Sequence, residues 1–410
     1  MELSQIIALS IFVGVFILFS TRVIHRALAT LLGALLLALW AGPKAVISAV
    51  IPEVLLVTAG VMILAGFVRR SGVAAWLALK TAKVGRGRPT RILVLSALLT
   101  FVLAALFGPA VAVVLVVPVA LLLASELDVP ALPFVVTLSW TSLLGGVTVL
   151  TATPGNLWLG MGLGIDGAAW LGRMAPYSLA GFVVTLVTSL VVFRTKLRVT
   201  NERRARVLEF DESRSLENRA LLAKTLIVLA LVMSGLVASH WTGWTPSLII
   251  VGGAVVLMLW DDPRSIDRSV AEIDGGTLLF FGGLFAVVVA LAVSGASLAL
   301  AQRLPADPLL LLGGSALLGA FVDQGAVMGS LVPTLQHWSA QGATGAWTWV
   351  ALGSTLGAGA TLWGAASNAT ALSLSGQGSY KPTWREFTLY GLLFSTINLI
   401  CLGSLALLLS

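Results

Sequence analysis

Charge is scarce in this 410-residue chain: Asp, Glu, Lys and Arg together make up 10%, whereas a soluble domain carries about a quarter. A fold wetted on every side is excluded. Cysteine is nearly missing, with Cys401 alone in the last apolar run, which excludes a disulfide framework or a cysteine-built metal centre and leaves a packing role. Only three histidines occur, His25, His240 and His337. They share no metal-ligand spacing and read as interfacial residues. Strict alternation of apolar and polar residues over segments of about ten is also absent, which argues against an outer-membrane barrel. No nucleophile-and-base constellation, P-loop lysine motif or zinc signature appears, so the expectation is neither an enzyme nor an ATP-driven pump.

What is present is apolar: 58% hydrophobic residues and a mean hydropathy of +1.00. Runs at 6–20, 28–40, 92–107 and 389–409 approach the roughly 20 residues that cross a bilayer as helix. The chain reads as an all-α polytopic membrane protein of a bacterial-type plasma membrane. The first run follows Met1-Glu2-Leu3 without a basic flank or a small-residue cleavage site, the pattern of a retained helix. Thirteen tryptophans, Trp241, Trp244, Trp260, Trp347 and Trp349 among them, read mostly as an aromatic belt. The net charge of +7 sits in short loops, where it sets orientation and implies no nucleic-acid partner. Arg69, Arg70, Lys80, Lys83, Arg86, Arg88 and Arg91 meet no acidic residue between them and mark a cytoplasmic loop. Arg22 and Arg26 mark another, which places the N-terminus outside.

Two parts of the chain match in order. Glu53-Val54-Leu55-Leu56 opens one helix and Asp274-Gly275-Gly276-Thr277 another; each runs into Ser-Gly, at Ser71-Gly72 and Ser294-Gly295. Gly108-Pro109-Ala110 then corresponds to Asp323-Gln324-Gly325, Pro118 to Pro333, and Gly145 through Asn156 to Gly357 through Asn368. The first Ser-Gly precedes a densely basic loop; the second precedes only Arg303, opposed by Asp307. The copies therefore enter the membrane from opposite sides, as inverted repeats do. The expected division is 1–52 as N-terminal scaffold helices, 53–193 as the first repeat, 194–219 as a cytoplasmic linker, 220–273 as connecting scaffold helices and 274–410 as the second repeat.

A backbone break in hydrocarbon exposes N–H and C=O groups that protein, water or an ion must satisfy. Thr151 to Asn156 and Trp363 to Asn368 place Gly, Pro, Ser, Thr and Asn in otherwise apolar spans. A helix broken there offers a positive N-terminal end to an anion and a carbonyl end to a cation, and Asn156 and Asn368 add amides. The plainer alternative is close helix packing by small residues. Asp323 is the one carboxylate inside a predicted membrane segment. It reads either as a proton- or cation-binding group or as a helix cap at a hairpin tip, with Gln324 beside it available to a ligand or to the opposite tip. Glu53 and Asp274 are expected to be dipole caps at the membrane surface.

This order of motifs, closing on Gly-Ala-Gly-Ala-Thr-Leu-Trp-Gly-Ala-Ala-Ser-Asn at 357–368, resembles the Ion Transporter superfamily, within it the divalent anion:sodium symporters and arsenite efflux permeases. The resemblance implies an inverted repeat with two re-entrant hairpins and two broken helices, forming a transport domain that moves like an elevator against a homodimeric scaffold. It implies a substrate and ion site at Gly108, Pro109, Thr153, Pro154, Gly155, Asn156, Asp323, Gln324, Gly325, Thr361, Ser367, Asn368 and Thr370. In the sodium-dependent dicarboxylate members both tips read Ser-Asn-Thr; here the first tip has no side-chain hydrogen-bonding group and the second carries an acid, which argues against sodium-coupled dicarboxylate uptake. The expectation is a secondary active transporter of a small inorganic or organic anion, coupled to H+ or Na+, with no other cofactor and with membrane lipid as its surroundings. Arsenite-type efflux or cation/proton antiport is the alternative, and a lipid-acting membrane enzyme or structural subunit a third reading.

Overall fold

The computed structural model describes residues 3–20, 24–200, 203–204, 218–264, 266–375 and 382–409, so Arg22 and most of the linker at 194–219 lie outside the described residues. The chain opens with α1 (Leu3–Ser20), α2 (Arg26–Ala41), the short α3 (Pro43–Ala49) and α4 (Pro52–Arg70). After α5 (Val73–Val84), α6 (Pro89–Phe107) and α7 (Pro109–Glu126) form a hairpin. There follow α8 (Leu132–Thr148), a 3₁₀ turn at Leu150–Ala152, α9 (Pro154–Leu163) and α10 (Gly167–Val192). The series then recurs: α11 (Arg219–Thr242), α12 (Pro246–Asp261), α13 (Ile266–Val270), α14 (Gly275–Val293), α15 (Ala296–Arg303), a hairpin of α16 (Pro308–Phe321) and α17 (Gln324–Ala340), α18 (Ala346–Ala358), α19 (Ala366–Leu374) and α20 (Trp384–Leu409). Among the described residues there is no strand, and seven helices have the length and apolarity to cross a membrane.

Local chemistry punctuates the series. Proline stands in the first turn of α4, α6, α7, α9, α12 and α16, where its missing N–H costs nothing and its fixed φ suits a helix start. Both Ser-Gly corners are built alike. Ser71 Oγ donates to the Val68 carbonyl and Ser294 Oγ to that of Leu291; each hydroxyl accepts the amide two residues on, and the glycines sit at φ +74° and +76°. An L side chain is strained there.

Packing confirms the inverted repeat. Gly60 of α4 lies against Ile250 and Val251 of α12, and Gly283 of α14 against Thr30 and Leu31 of α2, with room for no β-carbon in either place. The lead helix of each copy is thus clasped by the long helix that stands one short helix ahead of the lead of the other copy. The structural series therefore begins upstream of Glu53 and Asp274, taking in α1–α3 and α11–α13; these helices share no matching polar motif for a sequence comparison to find.

Every residue of α8 and of α18 is buried, which explains why these helices carry no charged residue on any face. Gly145 of α8 presses on the Phe101 carbonyl of α6, and Gly357 of α18 on the Ala316 carbonyl of α16. The small residues at the breaks therefore do pack closely, and the breaks exist as well. Trp241, Trp244 and Trp260 are exposed as a belt requires, but Trp347 and Trp349 are buried. Trp347 stacks on Trp170 at 4.9 Å between ring centroids, and Trp170 Nε1 donates to the Val147 carbonyl beside the first break. Packing, not the interface, places these two rings.

Candidate functional site

Both breaks are closed by the same device. Asn156 Nδ2 donates to the carbonyls of Gly146 (2.8 Å) and Val149 (3.0 Å), and Asn368 Nδ2 to those of Ala358 and Thr361 (both 2.7 Å). The partners lie ten and seven residues earlier in each case. Each amide therefore ties the C-terminal end of one half-helix to the first turn of the next, satisfying carbonyls that would otherwise be orphaned in hydrocarbon. The two Oδ1 atoms remain buried without a hydrogen-bond partner.

Four helices start at one cavity of about 480 Å³. Two come from the hairpin tips, α7 at Gly108-Pro109 and α17 at Asp323-Gln324; two come from the breaks, α9 at Thr153-Pro154 and α19 at Ala365-Ala366. Gly108 has φ +86° and lies so near the Ala152 carbonyl that a β-carbon would come within 2.7 Å of its oxygen. Gly155 and Gly325 touch through their backbones. Tip and break thus meet at glycine in both places, which brings N-terminal amides from both repeats to one space.

Their capping differs. Thr153 Oγ1 accepts the Asn156 amide (3.2 Å) and Asp323 Oδ1 the Gly325 amide (3.0 Å). The α7 and α19 starts have no side-chain cap, and these two helices pack against each other. Ser367, in the first turn of α19, lines the cavity with a buried Oγ that has no partner; the Gln324 Oε1 is in the same condition.

Charge gathers at one end. Arg26 Nη2 donates to Thr277 Oγ1 (2.8 Å), and the guanidinium lies 3.9 Å from Asp274 and 4.0 Å from Asp323. It also sits over the Phe280 ring at 5.3 Å. Arg69 donates through Nη2 to both carboxylate oxygens of Glu272, at 2.7 and 2.6 Å. Burial pushes the Asp274 carboxyl up, but the Thr277 hydroxyl and amide, the Arg26 charge and the Gly276 amide outweigh it and hold the group below its ordinary range.

Of the residues singled out from sequence, Gly108, Pro109, Thr153, Pro154, Gly155, Asp323, Gln324, Gly325, Ser367 and Thr370 line the cavity. Asn156, Asn368 and Thr361 stand behind it. The asparagines turn their donors to the breaks, and Thr361 Oγ1 donates to the Ala320 carbonyl and accepts the amides of Trp363 and Gly364. Asp323 is a helix cap, as one of its two readings had it. Asp274 caps its own helix, but Glu53 caps a different one: its carboxylate accepts Ser247 N (2.7 Å) and Ser247 Oγ (2.5 Å) at the start of α12. Arg26 is the residue the sequence reading missed. Counted there as a topogenic loop charge, it reaches the cavity because α2 packs along α14 and begins beside Asp274.

Two re-entrant hairpins and two broken helices meeting at one cavity define a membrane transporter fold. The chain belongs to the citrate transporter family (CitMHS), whose model matches residues 16–357. An uncharacterized transporter of Mycobacterium tuberculosis is 27% identical over 96% of each chain. A 46 kDa membrane protein of Mycobacterium leprae is 29% identical over 86% of this chain and 85% of its own. Among solved structures, the Alcanivorax borkumensis YdaH transporter, described as having an unusual topology, superposes with a TM-score of 0.61. The match spans 93% of this chain and 97% of that one at 14% identity.

Proposed function

We propose that this transporter carries a small anion through the bacterial plasma membrane as a secondary active, elevator-type carrier driven by H+ or Na+. The carrying observation is the convergence of four helix N-termini on one cavity, two of them uncapped. Each helix start presents free N–H groups and about half a positive charge, a ready site for an anion. The family description, which names citrate, supports an anionic cargo. In this reading α1–α4, α11, α12 and α14 form the scaffold of a homodimer, and the hairpins with the broken helices form the moving body. The buried Oδ1 atoms of Asn156 and Asn368 are acceptors suited to a coupling cation behind the substrate.

Orientation follows from charge. The rim bearing Arg26, Arg69, Glu272 and Asp274 is on the side of the basic 69–91 loop, so the cavity opens to the cytoplasm and the N-terminus lies outside. Asp323 is engaged as a cap and beside Arg26, and no observation favours cation antiport over anion transport. The test is uptake of a radiolabelled anion panel into proteoliposomes, with H+ and Na+ gradients imposed separately. Gradient-driven accumulation of at least one anion is expected, and equal rates in empty liposomes for the whole panel would refute the proposal.

A further inference from the structure

The charge on the cavity wall narrows the cargo. Its lining contains two cations, Arg26 and Arg69, and three acids, Glu272, Asp274 and Asp323. Arg69 is held by both oxygens of Glu272. Arg26 lies between Asp274 and Asp323. Side chains therefore leave no unmatched positive charge, and an excess of one negative. Of the four helix N-termini, the one at Asp323 is offset by that carboxylate, and the one at Thr153 has spent an amide on its cap. The open ones are those of α7 and α19. At about half a charge each, the pair offsets roughly one negative charge, not two or three.

The rest of the wall is apolar. Val61, Phe107, Val111, Val114, Leu115 and Leu143 face the cavity, and the first tip carries no side chain able to hydrogen-bond a second anionic group. A carboxylate placed against that surface would lose its hydration without recompense. A hydrocarbon placed there would gain.

We infer that the substrate is an amphipathic monoanion, a monocarboxylate whose single charged head sits at the uncapped starts of α7 and α19 with the Ser367 hydroxyl as a donor, and whose apolar body lies along the wall beside the first tip. The inference rests on the anion-transport reading and goes further: it sets this chain apart from di- and tricarboxylate cargo. Asp323 acts as the charge filter, since its carboxylate both occupies a third N-terminus and engages Arg26.

The experiment uses the purified full-length protein, with binding read by thermal shift and transport by proteoliposome counterflow. The probes are acetate, butanoate, hexanoate, benzoate, succinate and citrate at pH 7.5. Hexanoate and benzoate should bind and be carried, with affinity rising from acetate to hexanoate by up to about fourfold per buried methylene. Succinate and citrate should do neither. Ser367→Ala should weaken hexanoate about tenfold while leaving the melting temperature of the empty protein in place. Asp323→Asn, which keeps a cap-forming side chain, should raise the succinate-to-hexanoate affinity ratio at least tenfold by freeing Arg26. Wild-type preference for succinate or citrate overturns the monoanion class but leaves anion transport standing. Affinity independent of chain length overturns the apolar wall. Failure to bind or carry any of the six defeats the inference, whereas the anion reading beneath it falls only if the inorganic anions of the wider panel also fail to accumulate.

Discussion

At the residue scale the asparagine pair and the tip glycine bear the strain of interrupting a helix in hydrocarbon. Replacing Asn368 by Ala removes two hydrogen bonds and leaves the Ala358 and Thr361 carbonyls buried without that donor. A loss of about 1–3 kcal/mol is expected, readable as a lowered melting temperature in detergent, and Asn156→Ala should match it because its geometry is the same. Gly108→Ala combines a backbone conformation hostile to L residues with a clash on the Ala152 carbonyl. A cost of about 1–3 kcal/mol and loss of uptake are expected, and a fully active Ala variant would contradict the tip geometry. Asp274 supplies a pH prediction. Its folded-state pKa lies below the ordinary 3.8, so its stabilisation is complete above that value and is lost as the pH falls through the folded one. Melting temperature should show no change from this group between pH 8 and 5 and a decline below about 4, and Asp274→Asn should blunt that decline.

Elements explain why the site holds its shape. The buried helices α8 and α18 each rest on the first limb of a hairpin through a glycine, so the tip and the break of one copy form a single packed unit. At Gly357 a β-carbon would collide with the Ala316 carbonyl oxygen. Neither backbone can yield without moving the hairpin. Gly357→Val should therefore cost about 1–3 kcal/mol or more, the order typical of overpacking, and reduce anion uptake. The comparator is Leu317→Val on the exposed face of α16, expected to melt and transport as wild type. The Pro109-to-Pro118 and Gln324-to-Pro333 spacing, nine residues in both return limbs, places an internal proline at the same depth of each hairpin.

For the whole molecule the claim at stake is alternating access. Arg26 and Arg69 border the cavity, and the elevator movement proposed above would carry that same space to the other side of the membrane. A single cysteine at Ala110, an exposed position on the cavity wall, placed in a Cys401→Ser background, should react with an impermeant maleimide from the cytoplasmic face. Transported anion under an imposed gradient should shift labelling toward the outer face. Labelling confined to one face under every condition would rule out movement of the site. The Arg26–Asp323 contact joins α2 to a hairpin tip and would have to separate in the proposed movement.

The order of apolar runs, the Ser-Gly corners, the helix-starting prolines and the paired breaks were all legible in the chain, because each is a local rule: a span length, a required φ, a missing N–H. Ten of the thirteen site residues that the family resemblance implied line the cavity. The rest was decided by contacts between distant segments. Arg26 meets Thr277 across 251 positions, and nothing near Arg26 distinguishes it from an orienting loop charge. Which asparagine atoms face the break, which helix Glu53 caps and which two N-termini stay open depend on how the copies interlock, and that interlocking is set by glycine contacts invisible in hydropathy. The sequence alone determined where helices must start, stop and break; only the tertiary structure decided which of their ends are left uncapped at a common space, because charge and hydrogen-bond balance is a property of the assembled cavity.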